Sequence, residues 1–373
     1  MKIGFFAPHF SIGGLEKTNL RLGDEFHKLG HEVELITFNH NDALLQSADF
    51  PIKLHDLRVK RTVFCIPALV RTLRTENYDV IISCQHYANI IIVLAKFLSF
   101  TSTKILACER ISIKIALASE VGLKKILMPA LLQFSYRFCD AIVANSKQNA
   151  EDIKNLAGLY KANPNIVSIY NPAFRPEIPF LARKTCSELK RVSDKIIFLS
   201  VGRLYPEKNI SLLVSAFASV HGFNKNTFLV IVGEGPCMKD LKEQAFSLGV
   251  SDHIMFVGYQ SNPYRFMSNA DVLVLTSDYE GLPNVLIESQ VLGLPIISTD
   301  CMTGPREILL DGRLGELIKV GSSDDLVKCM TTVSFDLDSI RYKANEAKRF
   351  LVRFDPEENA KAYLNLVGAP FET

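Results

Sequence analysis

From one end to the other, this chain alternates short continuous apolar runs with helix-length amphipathic segments, and it goes through that pattern twice. In the first half the apolar runs fall at 2–6, 32–38, 79–83, 104–108, 140–144 and 166–170, and helix-length segments at 15–29, 88–99 and 146–157. A short aliphatic run without polar alternation suits a strand buried on both faces. Such strands, separated by helices, specify parallel sheets covered on both sides. The pattern lapses after Asn171-Pro172, where a charged, Pro-rich stretch over 176–194 reads as a linker. It restarts at Lys195 and gives runs at 195–200, 227–232, 253–257, 271–276, 295–299 and 315–318. A chain of 373 residues is long enough for two cores. The expected organisation is α/β, with two Rossmann-like doubly wound domains facing a central cleft. The domains span 1–175 and 195–354, and a final helix within 355–373 is free to pack back on the first. In such sheets ligands sit at the C-terminal ends of the strands.

Hydrophobic residues make up 48 % of the chain and charged ones 22 %, an ordinary globular balance. The net charge of +2 conceals an asymmetry: residues 1–180 hold 21 Lys/Arg against 16 Asp/Glu, and residues 181–373 hold 21 against 24. The basic half suits an anionic partner, and nothing calls for a nucleic acid. Eight cysteines are scattered without Cys-x-x-Cys spacing, several inside strand-like runs, so neither a zinc site nor a disulfide framework is expected, and the compartment is a reducing one. The start, Met1-Lys2-Ile3-Gly4-Phe5-Phe6, leads straight into a strand and has no signal-peptide pattern. The stretch Ile81–Phe100 is interrupted by Gln85, His86, Asn89 and Lys96, and reads as a strand end plus a buried helix.

The loops after the strands carry the chemistry. Pro8-His9-Phe10-Ser11-Ile12-Gly13-Gly14 precedes a helix, and paired glycines let backbone approach a ligand. The pattern is not Gly-x-Gly-x-x-Gly, which disfavours a nicotinamide dinucleotide. Gly202-Arg203-Leu204-Tyr205-Pro206-Glu207-Lys208 places two cations where they can neutralise a diphosphate. Gly233-Glu234-Gly235 and Gly258-Tyr259 follow strands at the same sheet edge and can approach a flat base or a ribose. Glu280-Gly281-Leu282-Pro283-Asn284-Val285-Leu286-Ile287-Glu288 sets two acids across a helix start. Pro283 fits the first turn, and the amides of Asn284, Val285 and Leu286 are expected to be open to an anion. Acids flanking such a site suit a ligand with both hydroxyls and phosphates, as in a nucleotide sugar. Viewed singly, each of these features also fits ordinary surface charge or a plain turn. His9 and His86 are placed to line the cleft, although polar contacts at strand ends are their commoner use. Asp336-Leu337-Asp338 reads as surface charge rather than a metal site.

Within 122–138, Leu123, Ile126, Leu127, Ala130, Leu131 and Phe134 share one helical stripe beside Lys124 and Lys125. That pattern serves a helix at an anionic bilayer surface or, more ordinarily, a core helix of the first domain. Arg58, Lys60, Arg61, Arg71 and Arg74 add basic surface to the same domain.

Together, Gly202-Arg203-Leu204 with Lys208, Val232-Gly233-Glu234-Gly235, Phe256-Val257-Gly258, the Glu280/Glu288 pair and Gly304-Pro305-Arg306-Glu307-Ile308 resemble the retaining glycosyltransferases of family 4, of GT-B architecture. The resemblance implies a catalytic group of Arg203, Lys208 and Glu280. Arg203 and Lys208 would bind the donor diphosphate, Glu280 the transferred sugar and Glu288 the ribose hydroxyls. Gly13, Gly14, Gly202, Gly233, Gly258, Tyr259 and the run Gly281, Leu282, Pro283, Asn284, Val285 would complete the donor site. It further implies a UDP-sugar co-substrate, no cofactor and no metal, with the leaving diphosphate helping to deprotonate the acceptor. Many relatives carry a histidine in the loop after the strand at 104–108. Here that loop reads Cys108-Glu109-Arg110, so His9, Glu109 and Arg110 are the acceptor-side candidates. Thr303-Gly304-Pro305-Arg306-Glu307 is similar to enzymes adding N-acetylhexosamines to undecaprenyl-diphosphate-linked or other lipid-linked saccharides, on the cytoplasmic face of the membrane. The alternatives are a nucleotide-sugar epimerase of the same architecture and a non-catalytic sugar-nucleotide-binding protein.

Overall fold

The computed structural model describes residues 1–10, 14–40, 45, 50–59, 62–157 and 165–368, so Gly13, Lys60 and Arg61 lie outside the described residues. The chain divides into two compact units, one of residues 1–172 with 354–373 and one of residues 173–353. Each holds one principal sheet, and all of its strands are parallel.

In the first unit the strands are β1 (Lys2–Phe6), β2 (Glu32–Thr37), β3 (Lys53–Asp56), β4 (Val80–Cys84), β5 (Lys104–Glu109), β6 (Ala141–Ala144) and β7 (Asn165–Ser168). Their spatial order is β3-β2-β1-β4-β5-β6-β7, a doubly wound sheet whose order reverses between β1 and β4. Its helices include α1 (Gly14–Lys28), α2 (Ile66–Glu76), α3 (His86–Ser99) and α4 (Leu123–Tyr136). One face is filled by residues such as Phe6, Ile81, Ile92, Ile105 and Tyr136. The other holds Phe5, Phe26, Val80 and Leu106 together with Ala360, Tyr363, Leu364 and Val367. The last four come from or just after the C-terminal helix Pro356–Asn365, where Asp355 caps the amide of Glu358. Lys104 Nζ also donates to Val367 O at 2.6 Å.

The second unit restarts the same winding with β8 (Ile196–Val201), β9 (Thr227–Val232), β10 (Ile254–Gly258), β11 (Val272–Leu275), β12 (Ile296–Thr299) and β13 (Glu316–Ile318). The order β10-β9-β8-β11-β12-β13 reverses between β8 and β11. Every residue of β9 and β11 is buried, which explains their unbroken apolar runs. The stretch 176–194 lies in this unit. It contains a short helix, Ile178–Ala182, and a 3₁₀ segment whose Glu188 pairs with Arg265 at 2.6 Å.

Among the elements that escaped the sequence pattern are β3, α2 and the short helix Ile113–Ala118. β3 is a half-exposed edge strand, Lys-Leu-His-Asp, with no apolar run to mark it.

Candidate functional site

Where strand order reverses, the loops leaving the two neighbouring strands diverge and open a crevice. In the second unit those strands are β8 and β11, whose register pairs Phe198 with Val272 and Leu199 with Leu273. The loop after β8 carries Gly202, Arg203 and Lys208, and the loop after β11 carries Glu280. Lys208 Nζ donates to Glu280 Oε1 at 2.6 Å, and Ser277 Oγ donates to the same oxygen at 2.7 Å. The backbone beneath is tied as well. Thr276 Oγ1 donates to Lys208 O at 3.0 Å, and Asp278 N–H donates to Glu207 O at 2.9 Å. A charge-assisted bond this short fixes both side chains at the mouth of the crevice. Arg203 stands free of that clip: its side chain is 61 % exposed, 3.6 Å from Glu207 and stacked at 4.7 Å over Tyr205.

The glycines are set by close approach of backbone to backbone. A Cβ on Gly233, at φ +145°, would lie 1.8 Å from Gly202 O, and one on Gly235 would lie 2.3 Å from Leu204 O. The loops after β8, β9 and β10 thereby lock together, with Leu204 N–H on Glu234 O, Gly233 N–H on Gly258 O and Tyr259 N–H on the Glu234 carboxylate at 3.2 Å.

Helix α5 (Asn284–Leu292) begins immediately after Pro283 and ends at the left-handed Gly293. One expectation needs correction here. The amide of Leu286 is not open, because it donates to Pro283 O at 3.1 Å. Pro283 takes the N-cap rather than a place in the first turn, and the helix opens with a 3₁₀-type bond that reaches three residues back instead of four. Glu288 lies one turn along, half-buried, and accepts from the hydroxyl of buried Tyr264 at 3.1 Å.

In the first unit the reversal lies between β1 and β4. His9 is exposed and edge-on to Phe38, and Gly14 opens α1 with no atom of the described residues within 4 Å of an added Cβ. His86 begins α3, 3.5 Å from Glu120, with its pKa lowered by burial. Glu109 and Arg110 are enclosed. Glu109 is 2 % exposed, and its carboxylate accepts from Tyr136 Oη at 2.5 Å and Asn89 Nδ2 at 2.7 Å. Burial outweighs those two bonds and lifts its pKa to about 7. Arg110 donates to Tyr363 Oη at 2.9 Å and to Asn171 Oδ1 at 3.1 Å. Both groups therefore do interior work, joining β5 to α3, α4 and the C-terminal helix.

The apolar stripe of α4 faces solvent, contrary to the core alternative: Leu123 is 69 %, Ile126 74 % and Phe134 58 % exposed, and Leu127, Ala130 and Leu131 are exposed too. The helix buries its other side through Leu132, Ser135 and Tyr136. Phe134 and Phe97 flank Phe138, with centroids 5.0 and 4.6 Å from it, and Leu94, Leu98 and Phe100 extend the exposed apolar surface onto α3 and its C-cap. Among the described residues, no helix is long and apolar enough to cross a membrane.

Glu34, His55 and Glu76 bring ligand atoms within 4.8 Å of one another. The space is already used by ammonium groups: Lys53 and Lys2 stand 3.0 and 3.2 Å from Glu34 Oε1.

Comparison with known proteins agrees with this layout. The family model "Glycosyl transferases group 1" matches residues 184–348, and "Glycosyltransferase Family 4" matches 12–173. The first half of the chain thus carries a glycosyltransferase family 4 domain and the second a group 1 glycosyltransferase domain. It is similar to a Campylobacter jejuni N-acetylgalactosamine-N,N'-diacetylbacillosaminyl-diphospho-undecaprenol 4-alpha-N-acetylgalactosaminyltransferase, 32 % identical over 62 % of this chain and 60 % of that protein. A second C. jejuni alpha-1,4-N-acetyl-D-galactosaminyltransferase, acting on a GalNAc-containing PP-undecaprenol, is 26 % identical over 99 % of this chain and 98 % of its own. Among solved structures, Anabaena HepE in complex with UDP and glucose superposes with a TM-score of 0.83 at 19 % identity, covering 99 % of both chains. That likeness shows the shared GT-B fold of two Rossmann-like units. The chain spans 60 % of the first C. jejuni relative and 46 % of a Methanocaldococcus jannaschii glycosyltransferase to which it is 31 % identical.

Proposed function

We propose that this glycosyltransferase moves a hexose or N-acetylhexosamine from a UDP-sugar to a lipid-linked saccharide with retention of configuration. The observation that carries the reading is the Lys208–Glu280 clip at the strand-order reversal of the second unit, with Arg203 beside it. Lys208 and Arg203 would neutralise the diphosphate, the part that gains charge as the glycosidic bond breaks. Glu280 would hold sugar hydroxyls and Glu288 the ribose hydroxyls, while Gly202, Gly233, Gly258 and Tyr259 let backbone come close to the nucleoside. Residues Gly281 to Val285 would border the sugar and diphosphate. The departing diphosphate would take the acceptor proton on the face it leaves, so neither a metal nor a separate base is required. Of the acceptor-side candidates, exposed His9 is the one placed to meet a ligand. Glu109 and Arg110 would support the end of β5.

The relatives named for undecaprenol-linked substrates support a lipid-linked acceptor. The exposed face of α3 and α4, with exposed Lys124, Lys125 and Arg137 and no acid between residues 121 and 139, supports docking on an anionic membrane surface. The protein would then act peripherally, at the cytoplasmic face of the membrane. The epimerase alternative draws no support from the family models or the relatives, and the joined Lys208 and Glu280 speak against a purely binding role.

Incubation with a panel of UDP- and GDP-sugars, with and without bacterial lipid extract, tests the reading. The expected result is a lipid-extractable glycan made from one UDP-sugar, in EDTA as well as in magnesium. A changed sugar without acceptor, or a strict magnesium requirement, would overturn it.

A further inference from the structure

Thr303-Gly304-Pro305 follows β12, and its geometry gives it work in the donor site. Glu280 N–H donates to Met302 O at 2.8 Å, and Thr303 N–H donates back to Glu280 O at 2.9 Å. The hydroxyl of Thr303, 2 % exposed, donates to Gly281 O at 2.9 Å. Gly304, at φ +99°, lies so close that a Cβ would come 2.5 Å from Gly281 O and 2.9 Å from Pro283 Cδ. The segment 302–304 is therefore a template against which Glu280–Pro283 is pressed. It acts on the backbone, whereas the Glu280 carboxylate is oriented separately by Ser277 and Lys208. Thr299 Oγ1, donating to Ser277 O at 2.7 Å, joins β12 to that second support.

We infer that Thr303 is a positioning residue for sugar transfer: its hydroxyl sets the height of the Gly281 peptide relative to Glu280, and with it the pose of the transferred sugar, without touching the nucleotide. The inference rests on the donor site proposed above. Among the described residues the Thr303 hydroxyl bonds only the carbonyls of Gly281 and Glu280, so its loss should move the sugar-facing backbone and leave the loops holding Arg203 and Gly233 in place.

The experiment compares Thr303→Val, which keeps the shape and removes the hydroxyl, with Thr303→Ser, which keeps the hydroxyl. UDP affinity is read by calorimetry, UDP release from the preferred UDP-sugar gives kcat and KM, and the thermal midpoint reports folding. The expected result for T303V is a kcat lowered about tenfold or more, UDP affinity within about twofold of wild type and a nearly unchanged midpoint. T303S should regain kcat to within about threefold. Wild-type kcat in T303V, a parallel loss of UDP affinity and kcat, failure of T303V to fold, or no rescue by T303S would each overturn the inference. A wild-type protein that neither binds UDP nor releases it from any UDP-sugar would instead overturn the donor site itself.

Discussion

Lys208 and Glu280, 72 positions apart in sequence, meet at 2.6 Å because the strands that precede them, β8 and β11, are neighbours at the point where the sheet reverses its order. In the proposed donor site the pair joins the cation assigned to the diphosphate to the acid assigned to the sugar, so neither half can be altered without freeing the other. Lys208→Ala should lower UDP affinity about tenfold or more, since a charge-assisted contact is lost. Glu280→Gln should leave UDP affinity within about threefold and lower kcat by about a hundredfold. The double variant should be no worse than the poorer single one, because residues acting as a unit are strongly non-additive. Calorimetry with UDP and turnover of the UDP-sugar read the cycle. Additive losses would mean that the two groups work independently.

Gly233 and Gly14 should separate the structural from the ligand-facing use of glycine. A Cβ at Gly233 meets Gly202 O at 1.8 Å on a backbone that L-residues avoid, so Gly233→Ala should cost about 3 kcal/mol or more by urea unfolding. A Cβ at Gly14 meets no atom of the described residues, so Gly14→Ala should change stability by less than about 1 kcal/mol. If Gly14 faces the donor, the same variant should weaken UDP-sugar binding. A Gly14→Ala protein with native donor affinity would remove this residue from the site.

Burial holds a proton on Glu109 up to about pH 7, whereas the carboxyl of the unfolded chain releases it near 4.5. The folded state is thus favoured fully below about pH 4.5, and that contribution is lost as pH rises through about 7. The shift corresponds to about 3 kcal/mol. Glu109→Gln keeps an acceptor for Tyr136 and Asn89 but does not titrate. Relative to this variant, the wild type should lose stability between pH 5 and pH 8. Parallel unfolding profiles would show that the Glu109 carboxyl does not carry the effect.

The strands of both sheets were legible because a parallel strand buried on two faces writes an unbroken apolar run, as in Thr227–Val232. β3 was not, since this edge strand keeps Lys53 and Asp56 exposed and still pairs with β2. In the site, the charged residues announced themselves by type, whereas their supports did not. Ser277 and Thr303 look like turn residues and Thr299 like the end of a strand run, and two of their bonding partners lie 22 positions away in sequence. Glu109 was visible as a candidate, but its enclosure depends on Tyr136, 27 positions on, in a helix whose docking no local pattern reveals. The α4 stripe shows the opposite limit. Periodicity identifies an apolar face, and only the packing of Leu132 and Tyr136 tells which side is inward.

That outward face gives the last prediction. Ile126 and Phe134 lose little on folding because they remain mostly exposed, so Ile126→Ser and Phe134→Ser should leave the thermal midpoint nearly unchanged. Each side chain that inserts into the interface contributes about 1.5–3 kcal/mol, so each change should weaken binding to anionic vesicles about tenfold or more. Lys124→Gln and Lys125→Gln should weaken it about fivefold each, at about 1 kcal/mol per cation, and only when the vesicles carry anionic lipid. Sedimentation with phosphatidylglycerol-containing and purely phosphatidylcholine vesicles distinguishes the two contributions. Unchanged binding in the serine variants would mean that the α3–α4 surface meets something other than a bilayer.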